Sequence, residues 1–176
     1  GSIRPTEDLL EDCVVRDQAI EIRNGVFVRR LGFNVYEFGY EEDSVQVDLN
    51  LSEGEAYETP YDLGAHQVSR DYFAVTHSGE GDGWDINRPC MASIVTFQGR
   101  IYLIDAGPNI AHTLNALGIN VNEVEGIFHT HAHDDHFSGL TSLIRSDHRV
   151  KYSSTRLVRE SVTKKLAALM SIDENQ

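Results

Sequence analysis

Four histidines and two aspartates stand within eight consecutive residues in the second half of the chain. The segment reads His-Thr-His-Ala-His-Asp-Asp-His from His129 to His136. Imidazole nitrogens and carboxylate oxygens are the side-chain atoms that bind zinc and other divalent metals. A solvated loop has no physical need for so many of these groups in so short a stretch. The segment therefore predicts a metal centre.

The spacing divides these residues between two ions. In an extended segment, side chains two residues apart project to the same side, so His131 and His133 can offer both imidazoles to one ion. Asp135 and His136 follow where the chain turns into a helix that we expect to begin near Phe137, and they can face a second ion. A carboxylate combined with imidazoles suits Zn²⁺, and also Mn²⁺ or Fe²⁺. We therefore expect two divalent metal ions, with Zn²⁺ as the first choice.

Strands and helices alternate around the histidine segment. Apolar runs bounded by turn residues indicate the strands, and apolar residues at helical spacing indicate the helices. The expected elements are a strand at 91–97, a turn at Gln98-Gly99, a strand at 101–104, a helix at 109–117 ending at Gly118, a strand at 126–128, the helix near Phe137, a strand at 150–153 and an amphipathic helix at 157–169. This order predicts an α/β (α+β) fold, in which helices cover a sheet.

The front of the chain differs in composition from the rest. Residues 1–62 hold 15 Asp and Glu against 5 Lys and Arg. Asn24-Gly25 is typical of a tight hairpin, and alternating strands around it and after it predict a β meander. A short helix is expected at residues 6–13. We place a domain boundary near residue 65, which gives an acidic β-rich segment at 1–65 and a second domain at 66–176.

Charge and composition narrow the classes of function and location. The formal net charge of −13 repels phosphate backbones at long range, so this segment alone disfavours a nucleic-acid partner. Cys13 and Cys90 form no CxxC pair, which favours a reducing, cytoplasmic setting. No apolar run approaches the roughly 20 residues that a membrane span requires, so no membrane partner is expected. A homo-oligomer stays open.

The spacing His-x-His-x-Asp-His, preceded by Thr130 and followed by Phe137-Ser-Gly-Leu140, resembles the metallo-β-lactamase superfamily. Asp105, in Ile104-Asp-Ala-Gly107, is similar to the aspartate at the end of an early strand in that family. The resemblance covers about residues 88–170. It implies the N-terminal half of an αββα sandwich, here preceded by the acidic β-rich segment. Residues 87–93 with the following hairpin are most similar to phosphodiesterase-like members, including the transfer-RNA 3′-end processing enzymes.

The resemblance also implies roles for the residues. It assigns His131 and His133 to one metal and Asp135 and His136 to the other, with Asp135 also steering the attacking water as the catalytic residue. Asp105 would support the site without binding metal, although an aspartate at a strand end is also a common turn residue. The implied function is a metal-dependent hydrolase of a phosphodiester or related ester, acting through a hydroxide that two metals activate.

The family pattern requires a further histidine, a bridging aspartate and a last histidine, and residues 149–176 contain no histidine. We therefore expect a truncated front portion of the fold whose site is incomplete and which is inactive by itself. Two alternatives stay open: a thioester or lactone hydrolase of the same superfamily, and a non-catalytic sensor or interaction module that merely holds metal. A di-iron, oxygen-handling member of the same superfamily is disfavoured. Such proteins resemble the family pattern with Glu at the position where this chain has His133.

Residues outside this set receive plainer interpretations. His129 is expected to be structural, and Asp134 to be a solvated charge at a helix start. Trp84 follows the glycine-rich stretch 79–83, and we expect it to be buried beneath that loop, with a substrate contact as the alternative. His66, His77, His112 and His148 have no partner at ligand spacing.

Overall fold

The computed structural model describes Pro5, residues 13–144 and residues 146–175. Apart from Cys13, the helix expected at 6–13 lies outside the described residues. The chain divides into two compact units, Gly1–Tyr57 and Glu58–Gln176. The domain boundary near residue 65 stays a prediction. Within the second unit, the amides of His66 and Val68 donate to the carbonyls of Ala116 and Leu117 at 2.7 and 3.2 Å.

The first unit is an antiparallel meander in the order β1-β2-β3-β4. Its strands are β1 (Ile20–Arg23), β2 (Val26–Gly32), β3 (Val35–Tyr40) and β4 (Asp43–Asp48). Asn24 and Gly25 join the first two strands with φ angles of 52° and 77°. Two successive positive φ angles give the turn a twist that matches the flanking strands. The predicted meander is confirmed.

The second unit holds a mixed sheet in the order β5-β6-β7-β8-β9. Its strands are β5 (Phe73–His77), β6 (Ser93–Phe97), β7 (Arg100–Ile104), β8 (Val124–His129) and β9 (Lys151–Ser154). Strands β5, β6 and β7 are antiparallel neighbours, whereas β7, β8 and β9 run parallel. Sequence reasoning did not identify β5, although Phe73 and Val75 carry the alternation of a strand.

Four helices accompany this sheet in the described part of the second unit. They are α1 (Ile110–Ala116), α2 (Asp134–Phe137), α3 (Leu140–Leu143) and α4 (Arg156–Met170), and a 3-10 turn lies at Val121–Glu123. None of the described helices combines the length and apolar character that crossing a bilayer requires. Strands and helices alternate as expected, so the α/β fold class is confirmed.

Helix α2 begins at Asp134, three residues earlier than the expected start near Phe137. The helical path is interrupted at Gly139, whose amide donates to the carbonyl of Ala106 at 2.9 Å. A Cβ at Gly139 would overlap the carbonyl oxygen of Gly107. The glycine thus lets α2 approach the end of β7 more closely than any other residue would allow.

The core of the second unit lies between one face of the sheet and the helices. It consists of the buried residues Ala92, Ile94, Ile101, Leu103, Ala106, Ile110, Leu114, Ile119, Val124, Ile127, Phe137, Leu140, Leu143 and Val162. These residues alternate along β6 and β7, as expected when only one face of a strand is buried against helices. The core therefore fixes the strand ends from which the histidine segment emerges.

Substitution of a core leucine should destabilise the second unit far more than substitution of an exposed leucine. Leu114 is fully buried in α1, whereas Leu157 in α4 is 74% exposed. Leu114→Ala should lower the free energy of unfolding by about 2–5 kcal/mol through lost burial and a cavity. Leu157→Ala should change it by less than about 0.5 kcal/mol. Urea unfolding followed by circular dichroism measures both, and equal losses would contradict the assigned core.

Candidate metal centre

The ends of two parallel strands bring the first residues of the site together. Ile104 in β7 is paired with Phe128 in β8, so Asp105 and the segment after His129 leave the sheet at the same edge. The amide of Asp105 donates to the carbonyl of Phe128 at 3.0 Å. Side chains that follow neighbouring parallel strands share one edge of a sheet, which is where α/β folds place their sites.

Asp105 lies at the centre of this edge and is only 5% exposed. Its φ angle of 62° is left-handed, a conformation that aspartate tolerates better than most residues. Its Oδ1 accepts a hydrogen bond from the amide of Thr130 at 2.8 Å. Its Oδ2 accepts from the Thr130 hydroxyl at 2.6 Å and from Nδ1 of His136 at 2.9 Å. This geometry favours a site-supporting role for Asp105 over that of a simple turn residue.

These bonds select the tautomers of two histidines. A carboxylate only accepts, so the single hydroxyl proton of Thr130 goes to Asp105, and Nδ1 of His136 carries its own proton. Nδ1 of His131 lies 2.8 Å from the Thr130 hydroxyl oxygen and must therefore donate to it. In the neutral form of each imidazole, Nε2 is then the nitrogen that carries the lone pair. Metal-binding histidines are oriented in this way, by a hydrogen bond from the second ring nitrogen.

The Nε2 atom of His136 faces a second potential metal ligand, and the other imidazoles lie close to it. Nε2 of His136 lies 3.2 Å from Oδ2 of Asp135, and a lone pair facing a carboxylate requires a proton or a metal ion between them. The ring centroids of His131 and His136 are 4.0 Å apart, and those of His131 and His133 are 4.6 Å apart. The donor set therefore fits a divalent ion.

One group of at least three candidate ligands converges among the described residues. Asp105, His131 and His136 each offer an atom within 4.8 Å of the other two. Both oxygens of Asp105 already accept protein hydrogen bonds, which leaves the imidazoles as the groups of this cluster that remain available to an ion. His133 and Asp135, both expected ligands, lie outside this tightest group but adjoin it through His131 and His136.

A cleft of about 540 Å³ lies beside the candidate ligands. It is lined by Asp82, Gly83, Trp84, His133, Asp134, Asp135 and Lys165. The expectation that Trp84 is buried beneath its loop is wrong, because the side chain is 91% exposed. The amide of Trp84 donates to Oδ1 of Asp82 at 3.0 Å within a local turn, and Trp84 lines the cleft instead of packing beneath the loop.

His129 supports the site from beneath and is buried. Its Nε2 donates to the carbonyl of His136 at 2.9 Å, and its Nδ1 accepts from the Tyr152 hydroxyl at 3.1 Å. Burial lowers the pKa of His129 below its ordinary value, while the charge of Asp105 opposes that change. A neutral ring is the form that can donate on one side and accept on the other, which agrees with the structural role expected for His129.

Two residues that sequence reasoning did not single out hold the histidine segment in place. Nζ of Lys165, in α4, donates to the carbonyl of Ala132 and to Oδ1 of Asp134, both at 2.6 Å. The thiol of Cys90 donates to the carbonyl of Asp135 at 3.1 Å. Burial, followed by the charge of Asp135, raises the pKa of this thiol and keeps its proton in place. Neither residue stands near the motif in sequence, so spacing gives no sign of them.

The remaining histidines take part in other contacts. Nδ1 of His77 lies 3.2 Å from the hydroxyl of Ser93 across β5 and β6. Nε2 of His148 donates to the carbonyl of Val124 at 3.0 Å. Among the residues that the structure describes, neither of these histidines, nor His66 or His112, joins the group of converging ligands.

Known proteins are similar to parts of this chain. The profile of the family described as Anti-Pycsar protein Apyc1 matches residues 73–169. Over 58 residues the chain is 40% identical to ribonuclease Z of Clostridium kluyveri, a stretch that makes up 33% of this chain and 19% of that relative. That stretch is thus a small part of the relative.

Solved structures are also similar to the chain. A diphosphatase from the PhnP family shares 20% identity at a TM-score of 0.46, over 56% of this chain and 47% of that one. The short form of human tRNase Z shares 24% identity at a TM-score of 0.46, over 56% of this chain and 40% of that one. The chain spans less than half the length of each of these proteins.

Removal of the Lys165 ammonium should loosen the histidine segment. Lys165→Met keeps the apolar stem but removes the donor to Ala132, which should destabilise the second unit by about 1–2 kcal/mol. Amide hydrogen exchange at residues 131–134 should accelerate, because the local opening becomes less costly. Lys164→Met is the matched control, since Lys164 is exposed on the same helix. Equal exchange at residues 131–134 in the two variants would remove Lys165 from the site.

Proposed function

The chain belongs to the metallo-β-lactamase superfamily and to the family described as Anti-Pycsar protein Apyc1, and from that membership we propose that it supplies metal-binding residues to a hydrolase of phosphodiesters or related esters. The observation that carries the proposal is the convergence of His131 and His136, both held through Nδ1, with Nε2 of His136 beside the carboxylate of Asp135. A neutral imidazole that donates through Nδ1 presents Nε2 to a cation.

Two divalent ions, with Zn²⁺ as the first choice, are part of the proposal. His131 and His133 would hold one ion, and Asp135 and His136 the other. Divalent ions held there would supply Lewis acidity and lower the pKa of a water molecule towards neutrality. Asp105 would keep both imidazoles in the required tautomer. The side chain of Asp135, about one-third exposed towards the cleft, would accept a hydrogen bond from the attacking water and orient it.

A phosphodiester is the favoured substrate class. A phosphodiester carries a single negative charge, and Lys165 at the cleft is already paired with Asp134, so positive charge for the substrate would come from bound cations. One relative, ribonuclease Z of Clostridium kluyveri, is named for cleavage of a phosphodiester backbone. That name supports the proposal for phosphodiesters over thioesters and lactones.

Hydrolysis of bis-p-nitrophenyl phosphate tests the proposal directly. Full-length protein loaded with Zn²⁺ should release p-nitrophenol, and His131→Ala or His133→Ala should lower kcat/KM by about 100-fold or more, because each removes a ligand. Elemental analysis should show that the double variant loses the bound metal. His66→Ala is the control, since His66 is exposed and lies outside the ligand group.

The same assay separates the alternatives. Turnover of a thioester panel without turnover of the phosphodiester would select the thioester or lactone hydrolase. Bound metal without turnover of any ester would select the non-catalytic sensor. An unchanged metal content after loss of His131 and His133 would refute the ligand assignment itself.

Trp84 should contribute to the binding of aromatic substrates, because its indole stands exposed beside the cleft. Stacking between aromatic rings contributes about 0.5–1.5 kcal/mol, so Trp84→Ala should raise KM for bis-p-nitrophenyl phosphate by about 2- to 10-fold, with kcat little changed. Trp84→Phe should restore most of the loss. Ile86→Ala is the control, since Ile86 is exposed in the same loop. A KM unchanged by Trp84→Ala would exclude the contact.

A further inference from the structure

Asp135 is enclosed by residues that belong neither to the histidine segment nor to α2. Its carbonyl oxygen accepts the Cys90 thiol proton, and a Cβ at Gly107 would overlap that same oxygen. Its side chain is bordered by Gly83, which lies 52 positions earlier in the sequence. Both the backbone and the side chain of Asp135 are therefore confined from outside the metal motif.

The approach of Gly83 is too close for any other residue. A Cβ at Gly83 would overlap the Cβ of Asp135 and would lie 3.5 Å from its carboxyl carbon. The φ angle of +84° also places Gly83 in the left-handed region. Because the Cβ–Cγ bond directs the carboxylate, a surface packed against these two atoms limits the rotamers that Asp135 can adopt.

The loop that carries Gly83 is itself anchored. The amide of Gly81 donates to the carbonyl of Pro89, and the amide of Met91 donates to the carbonyl of Gly81, both at 2.9 Å. A Cβ at Gly81 would lie 2.8 Å from the Pro89 carbonyl oxygen. The segment that holds the loop thus includes Cys90, which also holds the Asp135 backbone. The loop and Asp135 are fixed to a common support.

We propose that Gly83 is a positioning residue, whose bare Cα packs against Asp135 and aims the Asp135 carboxylate at Nε2 of His136. The inference rests on the proposed function, in which Asp135 binds an ion and orients the attacking water. Gly83 itself contacts neither the ion nor the substrate in this proposal. A side chain at position 83 would displace the loop or the backbone of Asp135, because rotation of the Asp135 side chain does not move its Cβ. Either displacement would break the 3.2 Å approach between Oδ2 and Nε2.

Gly99 provides a matched control for the backbone cost. Its φ angle is +76°, close to that of Gly83, but an added Cβ there would meet nothing within 4 Å. Gly83→Ala and Gly99→Ala therefore impose a similar left-handed strain. Only the former alters the surroundings of Asp135. Gly83→Asn adds a second comparison, because asparagine tolerates the left-handed region yet still carries a Cβ.

Cobalt(II) binding to full-length protein measures the effect without any turnover. Gly83→Ala and Gly83→Asn should raise the Kd for Co²⁺ by at least about tenfold and shift the visible absorption bands, as the loss of an outer orienting contact does. Gly99→Ala should keep the Kd for Co²⁺ within about twofold of the value for the unsubstituted protein and should leave the absorption bands in place. Metal-free protein gives a second measurement: ¹⁵N NMR of the imidazoles should show a changed His136 signal in the Gly83 variants alone.

The outcomes distinguish this inference from the proposed function. If Gly83→Ala matches Gly99→Ala in Co²⁺ affinity, visible spectrum and His136 signal, Gly83 does not position Asp135, whatever the enzyme hydrolyses. If the unsubstituted protein hydrolyses no ester but the Gly83 variants alone change the His136 signal, positioning stands and the proposed hydrolase fails. Should the unsubstituted protein bind no Co²⁺, the His136 signal alone decides for or against the inference.

Discussion

The single proton of the Thr130 hydroxyl constrains the whole metal centre. Asp105 accepts this proton, so the hydroxyl oxygen is left to accept from Nδ1 of His131, and the same carboxylate accepts from Nδ1 of His136. One buried acceptor thereby engages Nδ1 of both imidazoles, which directs both Nε2 atoms away from the carboxylate of Asp105. The arrangement needs Asp105 and Thr130 side by side, which holds only because β7 and β8 are parallel neighbours that end at the same edge. Strand pairing thus determines which ring nitrogen of each imidazole is engaged.

Placing a carboxylate at this buried edge has a cost, and hydrogen bonds from Thr130 and His136 offset it. Burial of a charge is unfavourable unless the charge is fully hydrogen-bonded, and Asp105 receives three donors. Its left-handed φ angle adds strain, of the kind that proteins keep where the surroundings determine the conformation. Close packing of Gly107 and Gly139 brings α2, and with it His136, within reach of the carboxylate. The glycines and the strained aspartate are therefore parts of one arrangement.

Local chemistry made much of this predictable from the sequence. Turn residues at Asn24-Gly25 and Gln98-Gly99 and the alternation of strands and helices lead to the observed elements, and the histidine spacing leads to the region of the site. Long-range contacts were not predictable, because no local pattern records them. Lys165 lies on a partly exposed helix, and nothing in its neighbours shows that its ammonium reaches Ala132. Tryptophan is usually largely buried in folded proteins, and nothing in the residues next to Trp84 in sequence shows that its side chain is exposed.

The site combines two degrees of preorganisation. The imidazoles of His131 and His136 are fixed in tautomer and orientation by Asp105 and Thr130, so little rotamer freedom is lost when they bind an ion. His133 is exposed at the cleft, and within the described part of the chain the ring of His131 is its one aromatic neighbour. Asp135 lies between these cases, since its backbone is fixed and its side chain is bordered by Gly83. Affinity for a divalent ion should therefore arise chiefly from the buried edge, whereas the cleft side retains conformational freedom.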